Sequence, residues 1–391
     1  MKRNIGVVFG GRTCEHDVSI ITAVQLMDHM DKSKYDVVPI YISREGAWYT
    51  GEKLCDIRTF ENFNATSFSK CHISPVPGQG LIVLNKGAFG DKSKETALDA
   101  VIPAMHGMHG EDGTLQGLLE LADIPYTSPG VVGSAVGMDK IVMKAAFKGN
   151  GFPVLDACHF ERGEWAKDRK QVIELVEKTL QYPVFIKPAN LGSSIGISKA
   201  TDRDTLESGI DVAVSFDRRI LVEQAAVDII ELNCSCLGYG SDVRASAVEQ
   251  PAGWEEFLTF DDKYMRSDTG KGMQALARKV PAPIDAKLKT EMEDLSIAIF
   301  KALDCKGVVR IDYLYSKSQG KVYVNEINTI PGSFAFYLWD VIGLPYPRLI
   351  DALIDTACRA QEEKRKNNYA YTSGILKKAG RGTKGAKGTK G

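Results

Sequence analysis

The stretch VVRIDYLYSKSQGKVYVNEINTIPG, residues 308–332, predicts a β-hairpin with an unusual set of polar side chains. Apolar residues alternate with others in both arms, and the tripeptide SQG between them supplies a turn. Alternate residues of a strand share a face, so Arg310 and Asp312 lie together on the first arm. For the same reason Glu326 and Asn328 lie together at the end of the second arm. A cation, two carboxylates and an amide therefore meet on one apolar hairpin.

Two interpretations explain this set. Carboxylates that are brought close repel one another unless a cation lies between them. Carboxylate and amide oxygens are ligands that Mg²⁺ accepts, and Mg²⁺ usually completes its octahedron with phosphate oxygens. The pattern of Asp312, Glu326 and Asn328 thus favours a magnesium-nucleotide site, whereas a structural ion-pair network with Arg310 is the alternative.

A second stretch, FIKPANLGSSIGISK at 185–199, predicts a phosphate-binding loop. A strand delivers Lys187, and Gly192, Ser193 and Ser194 let main-chain N–H groups and hydroxyls approach a phosphate. A plain hairpin loop is the alternative. The sequence has neither G-x-x-x-x-G-K-[ST] nor a complete G-x-G-x-x-G, so a nucleotide must be held in another way.

Two further stretches give weaker signals. In LVEQAAVDIIELN, residues 221–233, main-chain groups at 223–225 are placed to read an adenine edge, and Glu231 to accept from ribose hydroxyls. Two surface glutamates would give the same pattern. In GGRTCEHDVS, residues 10–19, Glu15 follows a predicted strand, where open α/β sheets bind ligands. It is a candidate partner for an ammonium group, but local sequence favours an acid that complements a helix dipole.

The order of elements predicts three domains and a tail. Strands and helices alternate over 1–136, which predicts an open parallel sheet. Residues 137–235 and 236–366 contain further strands and helices, including the hairpin. The Gly/Lys repeats of 367–391 cannot bury a core and are predicted to be disordered.

Composition excludes several classes of protein. The 391 residues are 44% hydrophobic and 25% charged, as in ordinary globular proteins, and the formal net charge of −1 gives no case for nucleic acid. Six Lys and Arg residues after Gly374 form a basic tail without aromatic residues, which favours a solvated extension. No apolar run approaches the roughly 20 residues of a membrane span. Eight scattered cysteines without zinc spacing predict reduced thiols and a cytoplasmic location.

Taken together, these blocks resemble the D-alanine–D-alanine ligases of the ATP-grasp superfamily. From about residue 3 to 360 the resemblance includes VVFGGRTCEHDVS, HGMHGEDGTLQG, SPGVVGSAVGMDK, FIKPANLGSSIGISK, DKY, RIDYLY and NEINTIPG, in this order. It implies an α/β, three-domain ATP-grasp fold in which two α+β domains clamp ATP. It also implies a mobile lid at about 254–281 and a homodimer.

The resemblance also implies roles for individual residues. Glu15 and His106 match residues that bind the first D-alanine, and Ser193 matches a serine bonded to that glutamate and to a lid tyrosine, Tyr264. Arg310 and the Gly332 N–H match oxyanion donors. Matches to ATP-binding positions are Lys140, Lys187, Ser193, Ser194, Glu223, Gln224, Ala225, Glu231 and Lys263. Matches to ligands of two Mg²⁺ (or Mn²⁺) ions are Asp312, Glu326 and Asn328.

The implied reaction is ATP-dependent joining of two D-alanines through an acyl phosphate, for peptidoglycan precursor synthesis. The sequence departs from the family on the side of the second substrate. Tyr337 in SFAFYLW stands where many members have a serine that binds the second substrate's carboxylate. The lid carries additional cations, among them Arg278. D-serine, D-lactate or another amino acid as acceptor therefore stays open beside D-alanine.

Overall fold

The computed structural model describes residues 2–85, 92–251, 278–368, 373 and 375–376. The predicted lid residues Lys263 and Tyr264 lie outside the described residues, as does most of the predicted disordered tail. Within the described part of the chain, no helix is both long and apolar enough to cross a membrane. All eight cysteines are free thiols, and five of them are buried.

Sixteen strands and ten α-helices are described. The strands are β1 (Arg3–Gly10), β2 (Tyr35–Ile42), β3 (Trp48–Thr50), β4 (Ser69–Ile73), β5 (Leu81–Asn85), β6 (Lys92–Thr96), β7 (Ala100–Pro103), β8 (Ala157–Glu161), β9 (Val184–Pro188), β10 (Ser198–Ala200), β11 (Arg219–Gln224), β12 (Ile229–Tyr239), β13 (Asp242–Pro251), β14 (Arg278–Lys279), β15 (Lys306–Ser316) and β16 (Lys321–Asn328). The helices are α1 (His16–His29), α2 (Thr114–Leu121), α3 (Val131–Met138), α4 (Lys140–Gly149), α5 (Arg162–Lys167), α6 (Arg169–Thr179), α7 (Arg203–Phe216), α8 (Ala286–Ala302), α9 (Phe336–Asp340) and α10 (Tyr346–Lys364).

The first sheet has the order β6-β5-β4-β3-β2-β1-β7. Strand β1 pairs in parallel with β2 and β7, so the predicted open parallel sheet is confirmed for these three strands. Strands β3 to β6 extend it with antiparallel pairs, which the sequence did not predict. Segments such as SKCHI and KSKET are rich in polar residues and lack the continuous apolar run of a buried parallel strand.

The second sheet, β10-β9-β11-β8, is antiparallel throughout. Helices α6 and α7 bury one stripe against it, including Val172, Val176 and Leu206. Asp202 begins α7 by accepting a hydrogen bond from the Thr205 N–H, as a capping aspartate does. The sheet carries predicted ATP-binding residues at the ends of two strands, Lys187 on β9 and Glu223 on β11.

The third sheet, β14-β13-β12-β15-β16, contains the predicted hairpin. Asp312 is opposite Glu326 across β15 and β16, and Asp312 is also opposite Asn233 on β12. Asn233 is in turn opposite Glu249 on β13. Directly opposed residues share a face, so Glu249, Asn233, Asp312 and Glu326 form one row of polar side chains, which we call the polar row. The other face of the sheet packs against α8 in an apolar cluster.

The first and third sheets share one apolar cluster, which contains Ile5 of β1 and Val308 of β15. The second sheet has a cluster of its own. Leu349 and Leu353 of α10 pack in one cluster with Ile5 of β1. Phe147 of α4 belongs to the apolar cluster of the third sheet. The domain boundaries near 136 and 235 stay predictions, and the second falls within β12.

Gly307 provides a test of this packing. It has a φ of +74°, and a Cβ atom there would lie 1.8 Å from the carbonyl oxygen of Thr127, which borders the first sheet. Gly320, in the hairpin turn, has a φ of +60° and open space around its Cβ position. Both alanine substitutions incur the left-handed strain of about 1–2 kcal/mol, but only Gly307→Ala meets backbone. We expect Gly307→Ala to lower the free energy of unfolding by at least about 2 kcal/mol more than Gly320→Ala. Equal urea midpoints for the two variants would contradict the close approach.

Candidate active site

The carboxylate of Glu15 is held by a distant part of the chain. Glu15 stands between β1 and α1 and is 7% exposed. The Ser193 hydroxyl donates a short hydrogen bond to Glu15 Oε1, although the two residues are 178 positions apart. The Glu15 side chain makes no capping bond to α1. The Glu15 carboxylate thus contacts a distant loop, and both interpretations of Glu15, as a partner of an ammonium group and as an acid that complements the helix dipole, stay predictions.

Two glycines line the Glu15 carboxylate. A Cβ atom at Gly107 would lie 2.7 Å from Glu15 Oε2, and one at Gly192 would lie 2.9 Å from it. Gly107 also has a φ of +73°, a conformation that favours glycine. The narrow surroundings of the carboxylate thus explain two glycines of the motifs quoted above.

His106, which precedes Gly107 in the chain, has a buried, neutral imidazole. Its Nε2 atom lies 2.8 Å from the Thr22 hydroxyl, and its main-chain N–H donates to the Ser19 hydroxyl. Burial lowers the pKa of His106 to about 4. Because an uncharged ring does not repel an ammonium group, His106 can lie next to the ammonium group of an amino acid without electrostatic repulsion.

Glu111 joins the first and third sheets. Its carboxylate accepts hydrogen bonds from the Gly107 N–H and from the Ile330 N–H, each at 2.9 Å. Burial, and after it the Glu15 carboxylate, raises the pKa of Glu111 to about 8. Glu111 therefore sets the loop that carries His106 against the loop that leads to Gly332.

Arg310 and Asp312 form a bidentate ion pair on the hairpin. Arg310 Nε and Nη2 donate to the two Asp312 oxygens at 2.6 Å and 2.7 Å, and Asn328 Nδ2 donates to Asp312 Oδ2 at 3.0 Å. Burial lowers the pKa of Arg310, but the Asp312 charge outweighs burial and holds that pKa above its usual value. Planar pairing of this kind fixes the direction of the guanidinium group.

Lys140 connects the second and third sheets. It begins α4 and is 8% exposed. Its ammonium group lies 3.2 Å from Glu326 Oε2 and donates to the carbonyl oxygen of Leu191 at 2.8 Å. A positive charge therefore lies between the glycine- and serine-rich loop and the hairpin.

Glu223 is a buried carboxylate between two lysines. Lys187 lies 2.5 Å from Glu223 Oε2, and Lys144 contacts Glu223 Oε1. Burial raises the pKa of Glu223, but the two ammonium groups outweigh it and hold that pKa below its usual value. Lys144 was not predicted from the sequence, although its position one helical turn after Lys140 was a signal for it. Two buried lysines therefore share one carboxylate close to the loop where phosphate was predicted.

Two main-chain N–H groups after Glu223 already donate hydrogen bonds within the protein. The Gln224 N–H donates to the Asp156 carbonyl at 2.8 Å, and the Ala225 N–H donates to the Pro183 carbonyl at 3.1 Å. The Gln224 side chain also bonds to the main chain of residues 181 and 183. An adenine edge at this position would have to be read by other groups than these two N–H donors.

Three further predicted residues lie on separate elements. Glu231 is on β12, opposite Leu314. Ser194 follows Ser193 with a φ of +60°. Gly332 begins a 3₁₀ turn that leads directly into α9.

The hairpin end of the polar row, together with Asn328, fits a divalent cation that is bound together with phosphate. Among the described residues, no group of three or more His, Cys, Asp and Glu side chains could hold a metal ion by itself. Asp312, Glu326 and Asn328 offer two carboxylates and an amide, with Asp312 and Glu326 directly opposite each other. That donor set matches Mg²⁺, which takes few protein ligands and borrows oxygens from phosphate.

Three contacts bring the sheets together around one centre. Ser193 contacts Glu15, Lys140 contacts Glu326, and Glu111 accepts a hydrogen bond from the N–H of Ile330.

Two models of a single family cover most of the chain: "D-ala D-ala ligase N-terminus" matches residues 4–129, and "D-ala D-ala ligase C-terminus" matches residues 146–355. The chain belongs to the D-alanine–D-alanine ligase family.

Curated members of this family match along nearly the whole chain. The D-alanine–D-alanine ligase of Heliobacterium modesticaldum is 39% identical and covers 94% of this chain and 98% of its own length. That of Thermosipho africanus is 36% identical and covers 95% of this chain and 98% of its own length.

Solved structures give the ATP-grasp architecture of D-alanine–D-alanine ligases. The D-Ala:D-Ser ligase of Enterococcus faecalis superposes with a TM-score of 0.75 at 30% identity, over 91% of this chain and all of its own (100%). The D-alanine–D-alanine ligase of Coxiella burnetii has a TM-score of 0.75 at 26% identity, covering 93% of this chain and 96% of its own. The predicted ATP-grasp fold is therefore confirmed.

Glu111 is the site residue of this family member whose structural role is easiest to test. Glu111→Ala leaves two buried N–H groups without their acceptor, and each unsatisfied donor costs about 1–3 kcal/mol of stability. We expect the free energy of unfolding in urea to fall by at least about 2 kcal/mol. Glu174→Ala, which removes an exposed carboxylate from α6, is the control and should change it by less than about 0.5 kcal/mol. Similar losses in both variants would show that Glu111 does not join the two loops.

Proposed function

We propose that this chain uses ATP to join two D-alanine molecules into D-alanyl-D-alanine, with ADP and phosphate as the other products. The observation that carries the proposal is the meeting of three parts. The Glu15–Ser193 pair would bind the ammonium group of an amino acid, and the lysine-flanked loop would bind phosphate. The Arg310–Asp312 pair would stabilise a developing oxyanion through the guanidinium group. Most curated relatives at 36–39% identity carry the same name, D-alanine–D-alanine ligase.

The first D-alanine would bind at the Glu15 corner. Its ammonium group would pair with the Glu15 carboxylate, which Ser193 orients by donating to Oε1. The neutral His106 ring would lie alongside without repelling that ammonium. The donor carboxylate would then point toward the phosphate-binding side.

ATP would transfer its terminal phosphoryl group to that carboxylate. Lys140 and Lys187 would neutralise phosphate oxygens and fix the phosphate chain, which is most of what phosphoryl transfer needs from a protein. Asp312, Glu326 and Asn328 would hold Mg²⁺, which when bound neutralises further negative charge on the phosphates. A relative from Bacillus anthracis with a TM-score of 0.65 was solved as a complex with ATP.

The amine of the second D-alanine would attack the acyl carbon. A C–N bond forms, and negative charge collects on the former carbonyl oxygen. The C=O bond then re-forms as phosphate leaves with the electrons of the broken C–O bond, and the phosphate takes the proton that the amine nitrogen gives up. Arg310 and the Gly332 N–H would donate to that oxygen. Loss of one such donor typically costs about 10²–10³ in rate. The resemblance assigns Lys263 and Tyr264 to a lid, and both lie outside the described residues. A site closed to water would protect an acyl phosphate.

A second candidate is the same reaction with D-serine as acceptor. The similarity to a solved D-Ala:D-Ser ligase and the tyrosine at position 337 favour it. D-lactate is a further acceptor that the departure at Tyr337 leaves open. Cytoplasmic location, a homodimer and the absence of a nucleic-acid partner also belong to the proposal.

The experiment is a product analysis. Purified protein with ATP, Mg²⁺ and D-alanine as the only amino acid should form the dipeptide with stoichiometric ADP, as read by mass spectrometry. Glu15→Gln, which cannot pair with an ammonium group, should lower the rate at limiting D-alanine roughly tenfold or more. Mixed dipeptide formed only after D-serine is added would favour the second candidate. ATP turnover that does not depend on D-alanine would refute the proposal.

A further inference from the structure

Tyr337 has its hydroxyl proton committed to a buried carboxylate. The phenol donates to Glu249 Oε2 at 2.8 Å, and Glu249 is 3% exposed. Burial, and after it the Glu249 charge, raises the pKa of Tyr337. The phenol therefore keeps its proton, and that one proton points at Glu249. Toward any other group the Tyr337 oxygen can only accept a hydrogen bond.

A guanidinium group covers the same phenol. Arg278 Cζ lies 3.9 Å from the centroid of the Tyr337 ring, which is cation–π geometry. Arg278 Nη1 lies 3.5 Å from Glu249 Oε1, and the Arg278 side chain is 12% exposed. A positive charge, a negative charge and a phenol are thus packed together.

This group of three side chains lies next to the Arg310 centre. Glu249 is the end of the polar row, and the Asn233 amide lies between the Glu249 and Asp312 carboxylates, within 3.3 Å of either one depending on the amide's orientation. The Arg310 charge lowers the pKa of Tyr337 against the larger effect of burial, because the two side chains lie near each other. Glu326, the predicted metal ligand, is at the opposite end of the row. The three side chains are therefore on the side of Arg310 away from the phosphate-binding residues.

We propose that Tyr337, Glu249 and Arg278 form the subsite for the acceptor amino acid, with the phenol as a hydrogen-bond acceptor. The Tyr337 oxygen accepts from an N–H of the acceptor amine, and Arg278 pairs with the acceptor carboxylate. Glu249 is a positioning residue, since it acts by fixing the phenol proton. In the family resemblance described above, the serine at this position instead donates a hydrogen bond to the carboxylate of the second substrate. The inference rests on the proposed function and names the groups that select its second substrate.

The subsite predicts an acceptor of defined chemistry. It must be a small α-amino acid that carries both an amine and a free carboxylate, because the tyrosine ring fills the space that a serine would leave open. An amine can donate one N–H to the phenol and still attack through its lone pair. The hydroxyl of a hydroxy acid has a single proton, which it loses on attack. Amino acids should therefore be used in preference to D-lactate.

The test separates the Michaelis constants of the two substrate positions. Initial rates of dipeptide formation are measured over a wide range of D-alanine, which resolves donor and acceptor KM values. Tyr337→Phe keeps the ring and removes the oxygen, so the acceptor KM should rise about fivefold with an unchanged donor KM. Arg278→Leu should raise the acceptor KM roughly tenfold or more, and Arg278→Lys should recover part of that loss.

Glu249→Gln examines the positioning role. A glutamine can turn its amide N–H toward the phenol, so the proton of Tyr337 is no longer fixed. The acceptor KM should rise in Glu249→Gln but not rise further when the change is added to Tyr337→Phe. Additive effects of the two substitutions would contradict the positioning role.

A matched control is Tyr323→Phe, on β16 of the same sheet. Its hydroxyl donates to the exposed Gln319 side chain at 2.9 Å, and its removal should change neither KM. Thermal midpoints of all variants show whether each is folded. A folded Tyr337→Phe or Arg278→Leu protein with an unchanged acceptor KM, or with a change in the donor KM alone, would overturn the inference while the ligase function stands. Absence of dipeptide from the unmodified protein would instead overturn both.

Discussion

Mutual repulsion of carboxylates on one sheet face is the constraint on which this site depends. Asp312 and Glu326 are directly opposite each other on adjacent strands, and Glu249 extends the same row two strands further. Like charges that face each other across a sheet destabilise it. Each carboxylate is therefore met by a cation or a polar donor: Asp312 by Arg310, Glu326 by Lys140, and Glu249 by Arg278.

The cations come from different parts of the fold, and this connects folding to function. Arg310 lies on the same hairpin as Asp312, but Lys140 begins a helix that follows the first sheet. The site consequently exists only when the separate sheets are packed together. An arrangement of buried charges that is satisfied only in part is costly, so the same contacts that prepare the chemistry also specify how the sheets meet. Binding of ATP with a divalent cation would then replace some protein ion pairs by ion–phosphate contacts.

The sequence predicted what is local and missed what is distant. The hairpin, its polar face and the glycine- and serine-rich loop follow from strand alternation and turn residues within about twenty positions. The bond between Ser193 and Glu15 joins residues that only tertiary packing brings together, so it was expected from the family resemblance and not from spacing. Glu111 was missed because its partners are main-chain N–H groups, which have no sequence signature. The antiparallel strands β3 to β6 were missed because their polar, half-exposed segments resemble loops. The roles of individual residues came from the family resemblance rather than from spacing.

The central claim is that the carboxylate of D-alanine receives a phosphoryl group at the centre formed by Glu15, Lys140 and Arg310. The most direct measurement follows the oxygen atoms. D-alanine labelled with ¹⁸O in both carboxylate positions is incubated with the protein, ATP and Mg²⁺, and the inorganic phosphate is analysed by mass spectrometry. An acyl phosphate intermediate predicts that each phosphate carries a single ¹⁸O atom from the donor carboxylate. Phosphate free of ¹⁸O, released at the rate of ADP formation, would contradict the account.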